Sequence, residues 1–199
     1  MNIKKFEKLF KTHINLNIDL SKNTLSSFNK VFEIIDFLIK KIKNNKKIFV
    51  YGNGGSYADA SHFVSELTAT YKKKNRKGLP FYLLSSNLSS LTAWSNDIDF
   101  KSYLHREVQS LINKDDVLIL ISTSGGNKKS KQSINLLNAA KLAKKNKIRI
   151  IGFLGNNGGD LKKYCNYNLI IPSKDTARIQ ECHIFFGHVL MDIVERDFL

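Results

Sequence analysis

The sequence predicts one α/β domain: a three-layer αβα sandwich around a five-stranded parallel sheet, preceded by helices. Three observations carry this. Short apolar runs alternate with stretches of helical periodicity, the pattern of βαβ units. One run, Asp116 to Ile121, is almost wholly apolar, as a parallel strand covered on both faces should be. And 199 residues with a 42% hydrophobic fraction suffice for one core of this size.

Residues 1–44 read as an N-terminal helical region and 45–199 as the αβα core, with no linker or internal repeat between them. Phe6, Leu9 and Phe10, then Leu25, Phe28, Val31, Phe32, Ile35, Leu38 and Ile42, recur at three- and four-residue intervals. Ser21 or Asn23 is a candidate cap for a second helix within this region. Residues 47–51 form a first strand, followed by Gly52-Asn53-Gly54-Gly55-Ser56 and a helix through His62 and Tyr71. A second short strand at 80–84 leads to helical residues 88–112, interrupted at 96–99. After the strand at 116–121 come a turn and a long helix over about 130–146. A strand at 148–153, a turn at 156–160 into a short helix, a strand at 167–171 and a helix from Asp175 to the end complete the chain.

Charge is the unusual bulk property: Lys+Arg 32 against Asp+Glu 17, a formal +15. The lysines are scattered in short runs without an interleaved aromatic motif, which argues for a solvated basic surface attractive to anionic metabolites rather than a nucleic-acid groove. No apolar run reaches the roughly 18–20 residues of a membrane helix, and no signal peptide is evident. Cys165 and Cys182 make neither a disulfide framework nor a metal motif, so a cytoplasmic setting is expected.

Two strands end in turns suited to anions. Gly52-Asn53-Gly54-Gly55-Ser56 allows close backbone approach at a helix N-terminus, but lacks the GxGxxG spacing and the Walker lysine. Ser122-Thr123-Ser124-Gly125-Gly126-Asn127 offers three consecutive hydroxyls, more than helix capping requires, and no GxSxG elbow. A phosphate-binding loop is the expectation. His62 and Glu66 share a helix face at i and i+4, a spacing for metal ligation, acid–base work or a plain ion pair. On the last helix stand Gln180, Glu181, His183 and His188; helical angle aligns Glu181 with His188 best and does not choose among them. Asn96-Asp97 suits either sugar hydroxyls or a helix cap.

Together these motifs, in this order and from the N-terminal helices to the last helix, resemble the sugar isomerase (SIS) superfamily with its flavodoxin-like sheet, and within it the phosphoheptose isomerases. The resemblance implies interconversion of sedoheptulose 7-phosphate and D-glycero-D-manno-heptose 7-phosphate for bacterial surface polysaccharide. It implies that Ser122, Thr123 and Ser124 hold the phosphate, and that Asn53, Gly54, Gly55, Ser56, Asn96, Asp97 and Gln180 line the sugar. Glu66 and His188 would be the acid–base pair, and His62, Glu66, Gln180 and His188 would surround a zinc ion. A homotetramer with active sites at subunit contacts is implied as well. The chain departs from the family after Gly125, where an insertion makes Ser133 the first candidate and Asn127 the second for the last phosphate contact. Two non-catalytic readings stand beside the isomerase: a relative that binds a replication initiator, and a sugar-phosphate sensor acting on DNA or a regulator.

Overall fold

The structure, a computed structural model, describes residues 3–198. Helix α1 (Ile3–Thr24) passes through a single 3₁₀ turn (Leu25–Ser27) into α2 (Phe28–Lys43). Then follow β1 (Ile48–Gly52), α3 (Gly55–Thr68), β2 (Phe81–Leu83), α4 (Leu88–Asp97), α5 (Phe100–Leu111) and β3 (Val117–Ser122). Helix α6 (Ile134–Lys145), β4 (Arg149–Gly155), β5 (Tyr167–Ile171) and α7 (Thr176–Asp197) complete it.

All strand pairs are parallel, in the order β2-β1-β3-β4-β5. Strand pleating sorts the core into two clusters. Val117, Ile119 and Ile121 of β3 face α2, α3 and α7, whereas Leu118 and Leu120 face α5 and α6. In β1, Ile48 and Val50 divide from Phe49 and Tyr51 in the same way. Burial on both faces is why these strands read as continuous apolar runs rather than alternating ones.

The N-terminal helices divide in role. Helix α2 buries Ile34, Ile35, Leu38 and Ile42 in the core. Helix α1 buries only Thr24 and is tied to α7 by polar bonds: Asn17 Nδ2 donates to Glu181 Oε2 (2.6 Å), and Arg178 Nη1 to the His13 carbonyl (3.0 Å). Its Phe6, Leu9 and Phe10 remain exposed.

Four boundaries differ from the sequence expectation. Neither Ser21 nor Asn23 starts a helix: α1 runs on through both to Thr24, and the junction has no side-chain cap. Helix α3 stops at Thr68, before Tyr71. Residues 130–133 are loop, because the Asn127 carboxamide oxygen accepts the N–H groups of Lys129 (2.8 Å) and Ser130 (3.0 Å), offering the backbone an alternative to helix. Residues 156–166 turn without forming a helix, with Gly158 and Gly159 both at positive φ.

His183 sits in this core, fully buried with its ring 6.0 Å from that of Phe153. Burial pushes its pKa down to about 4. The unfolded chain binds this proton near pH 6.5, so the neutral ring's contribution is complete above that and is lost as pH falls toward 4. Over that window we expect a loss on the order of 3 kcal/mol. Urea titrations at pH 7 and pH 5 should show that His183→Leu flattens the acid limb, and an unchanged pH slope would contradict this.

Candidate active site

Strand order reverses between β1 and β3, so their carboxyl ends open the crevice in which doubly wound sheets bind ligands. The two glycine-rich loops follow these two strands.

After β1, Asn53 is held rather than free. Its amide pairs reciprocally with that of buried Asn135 (3.0 and 2.8 Å), and its oxygen also accepts from the Tyr51 hydroxyl (2.9 Å). Sequence reasoning missed Asn135, whose only signal was a polar residue at the buried start of α6. Asn53 and Gly54 line a shallow hollow with Tyr57 and Ser85, while Ser56 is buried in the first turn of α3. Gly55 lies directly against Gln180: a Cβ there would meet the end of the Gln180 side chain. Helix α7 thus brings Gln180 to the N-terminus of α3, while Glu181 turns away to Arg178 and Asn17. Of the two, Gln180 is the one that lies beside the first glycine-rich loop.

After β3, a polar cleft of about 430 Å³ opens. Thr123 and Ser124 line one side; Asn127 and Ser133, the two candidates for the last phosphate contact, line it together with Gln132 from the insertion. Ser122 lies beneath, buried, its hydroxyl 3.4 Å from that of Ser124. The Ser124 hydroxyl also accepts the Gly126 N–H (3.1 Å). The loop is braced by the turn after β4: the Gly125 and Gly126 carbonyls accept from Leu161 (2.8 Å) and Asp160 (2.9 Å). A Cβ on Gly125 would collide with the Gly158 carbonyl, and its φ is +65°. Asn127 and Gln132 exchange both backbone hydrogen bonds, so residues 127–132 form a closed loop whose two ends line the cleft. Three further lining residues come from elsewhere and were not singled out in the sequence: Asn156, Lys174 and Thr176.

The acid–base candidates gather farther along α3 and α7, which run side by side. His62 and His188 face each other with Nε2 atoms 2.9 Å apart, one donating to the other. Glu66 Oε1 lies 3.8 Å from His62 Nδ1, and Tyr71 stacks on the His188 ring at 6.0 Å and 12°. Burial, then His62 and Lys72, push the His188 pKa down against a pull from Glu66, so this imidazole is neutral at pH 7. One turn before His62, buried Asp59 has an unpartnered Oδ2, and burial raises its pKa to about 6 against a pull from His62. Nothing in the sequence marked it.

Two parts of the expected site stand apart within one chain. Asn96 and Asp97 are exposed at the end of α4, bonded to each other at 2.9 Å. Gln180 precedes His188 by eight residues, about 12 Å of helix axis. The donor types suit zinc, but the donors do not converge. The two Nε2 atoms are closer than the roughly 3.3 Å expected between tetrahedral ligands of one zinc, and Glu66 lies on the opposite edge of the His62 ring. Among the described residues no three His, Cys, Asp or Glu side chains form a metal-holding group. Among the described residues, too, no helix is long and apolar enough to cross a membrane.

Comparison with known proteins agrees with this architecture. Residues 19–155 match the SIS domain family model. Phosphoheptose isomerase of Helicobacter hepaticus is 41% identical over 191 residues, 96% of this chain and 94% of that protein. The phosphoheptose isomerase of Campylobacter jejuni serotype O:6 is 44% identical over 163 residues, 82% of this chain and 84% of its own. Among solved structures, phosphoheptose isomerase GmhA of Neisseria gonorrhoeae superposes with a TM-score of 0.86 at 29% identity, covering 96% of this chain and 99% of that one. A phosphoheptose isomerase of Francisella tularensis gives 0.85 at 29% identity, with 98% and 100% covered. With the family model over most of its length and relatives above 40% identity along nearly all of it, the chain belongs to the SIS-domain family and, within it, to the phosphoheptose isomerases.

Proposed function

We propose that this protein interconverts sedoheptulose 7-phosphate and D-glycero-D-manno-heptose 7-phosphate, supplying heptose for a bacterial surface polysaccharide. The observation that carries the proposal is the cluster of His188, His62 and Glu66 between α3 and α7, with Nε2 atoms 2.9 Å apart and Glu66 Oε1 3.8 Å from His62 Nδ1, in a chain that also opens a polar cleft after β3 suited to a phosphate.

The chemistry follows from those groups. Glu66 takes a proton from C1 of the ketose while an imidazole N–H of the His188 pair gives one to the C2 oxygen, forming an enediol. The C1 hydroxyl then returns its proton to the imidazole, C2 takes the proton held by Glu66, and the aldose results. A carboxylate base with a neutral imidazole donor is a combination that works near pH 7. The non-catalytic readings would leave this arrangement without a use.

A homotetramer with shared sites is part of the proposal. Thr176 in the cleft and His188 lie twelve residues apart on α7, about 18 Å of helix axis. The six C–C bonds of a heptose and the C–O–P link to its phosphate, each about 1.5 Å, reach at most about 12 Å. This mismatch supports a site in which cleft and acid–base pair come from different subunits. An apolar groove between α2 and α7, lined by Phe28, Phe32, Phe185 and Ile193, supports subunit contact.

Purified protein is expected to convert sedoheptulose 7-phosphate to its aldose, read by proton NMR, and to exchange solvent deuterium into the product. Absence of turnover with any seven-carbon ketose phosphate would overturn the reading. Metal analysis of the same preparation tests the zinc expectation, and light scattering tests the tetramer.

A further inference from the structure

We propose that Lys174 is the cation that reads the charge of the substrate's phosphate, so that the cleft selects the dianionic over the monoanionic phosphomonoester. The inference rests on the isomerase reading for the identity of the substrate, but not for the presence of the cleft.

Among the described residues Lys174 is the one charged residue lining the cleft, and it enters from the segment before α7. Its ammonium is exposed and makes no ion pair with any described residue. The adjacent Asp175 does not neutralise it by direct contact: that carboxylate caps α7, accepting from Ala177 (2.9 Å) and Arg178 (3.4 Å). Among the described residues no carboxylate lines the cleft. The remaining lining groups, hydroxyls and carboxamides, are neutral.

Neutral donors can replace the water around phosphate oxygens, but they cannot offset a second negative charge taken out of solvent. At the far wall, Ser133 caps α6 in a left-handed conformation (φ 53°) and its side chain takes up none of that helix's first N–H groups. Those N–H groups add partial positive charge only. Among the described residues that line the cleft, Lys174 therefore supplies the one full unit of counter-charge; Lys128, Lys129 and Lys131 belong to the adjoining loop but do not line it. A phosphomonoester loses its second proton near pH 6, so discrimination between its two forms falls within an accessible range.

The test is the pH dependence of binding. Between pH 5.5 and 7.5 the wild-type KM for sedoheptulose 7-phosphate should fall as the dianion forms. Lys174→Gln should raise KM at pH 7.5 by roughly three- to tenfold, the worth of an exposed charge-assisted contact, and flatten that pH dependence while kcat is kept. Lys174→Arg should restore both, and Lys22→Gln on the exposed side of α1 should change neither. Inorganic phosphate, titrated by calorimetry without turnover, should show the same loss of affinity in Lys174→Gln. Wild-type values in that variant, or an equal loss at every pH, would overturn the inference and leave the isomerase standing. Conversely, Lys174-dependent phosphate binding in a protein that turns over no heptose phosphate would overturn the isomerase and leave this assignment standing.

Discussion

Glu66→Gln and His188→Gln should each lower kcat by about 10²- to 10⁴-fold, the usual worth of a positioned acid or base, with far smaller effects on substrate affinity. The carboxamide keeps the size of the Glu66 side chain but cannot accept the carbon-bound proton. In His188→Gln the Nε2 contact with His62, 2.9 Å in the native chain, is replaced by an amide that cannot shuttle a proton. Neither substitution touches the cleft after β3 proposed to hold the phosphate, so calorimetric phosphate affinity should be unchanged. The two effects should not add, because both residues serve one proton transfer. Full activity in either variant would remove it from the mechanism. Mixing also separates one-chain from shared sites. If cleft and acid–base pair come from different subunits, Glu66→Gln chains mixed with Ser124→Ala chains, impaired in the proposed phosphate cleft, should recover part of the activity. Sites contained in one chain would recover none.

What the sequence disclosed and what it hid divide along physical lines. The strands were legible because burial on both faces leaves continuous apolar runs, Val117 to Ile121 above all. The two loops were legible because only glycine and small hydroxyl residues suit a tight anion-binding turn. The start of α6 was not, because the polar run Ser130 to Ser133 carries no pattern that separates helix from loop, while a single carboxamide, that of Asn127, captures the backbone there. Lys174 was invisible for another reason: in a chain with 32 basic residues, one more lysine carries no signal until the fold brings it to a cleft. Asp59 and Asn135 share that limit. Their importance lies in being buried and polar, and burial is a property of the packed chain. The gap between Gln180 and His188, and the exposure of Asn96 and Asp97, show where family motifs outrun one chain's geometry.

Arg76→Met should destabilise the fold by about 3–5 kcal/mol, a large share of the roughly 5–15 kcal/mol of a typical domain. Arg76 and Glu195 side chains are 0% and 2% exposed and meet at 2.8 Å, though 119 residues apart in sequence. Arg76 also donates to the carbonyls of Glu66, Leu67 (2.8 Å) and Lys77 (3.1 Å), closing the orphan end of α3. Glu195 accepts the N–H groups of Tyr71 (3.3 Å) and Lys72 (2.9 Å). Burial alone would raise the Glu195 pKa, but Arg76 and these backbone donors outweigh it and the net shift is downward. Its contribution is therefore complete above the ordinary glutamate value and is lost only as pH falls through the folded one. Removing Arg76 leaves a buried carboxylate without its partner and frees the segment that carries Tyr71 against His188. A fall in Tm of roughly 6–20 °C is expected. Replacing both partners, Arg76→Met with Glu195→Met, should recover much of it, because the cost lies in the uncompensated charge rather than in the loss of the pair. The latch grips the backbone of Glu66 itself, so the double variant should regain stability yet still turn over more slowly than wild type. Wild-type kcat in the double variant would show that α3 holds Glu66 in place without the latch.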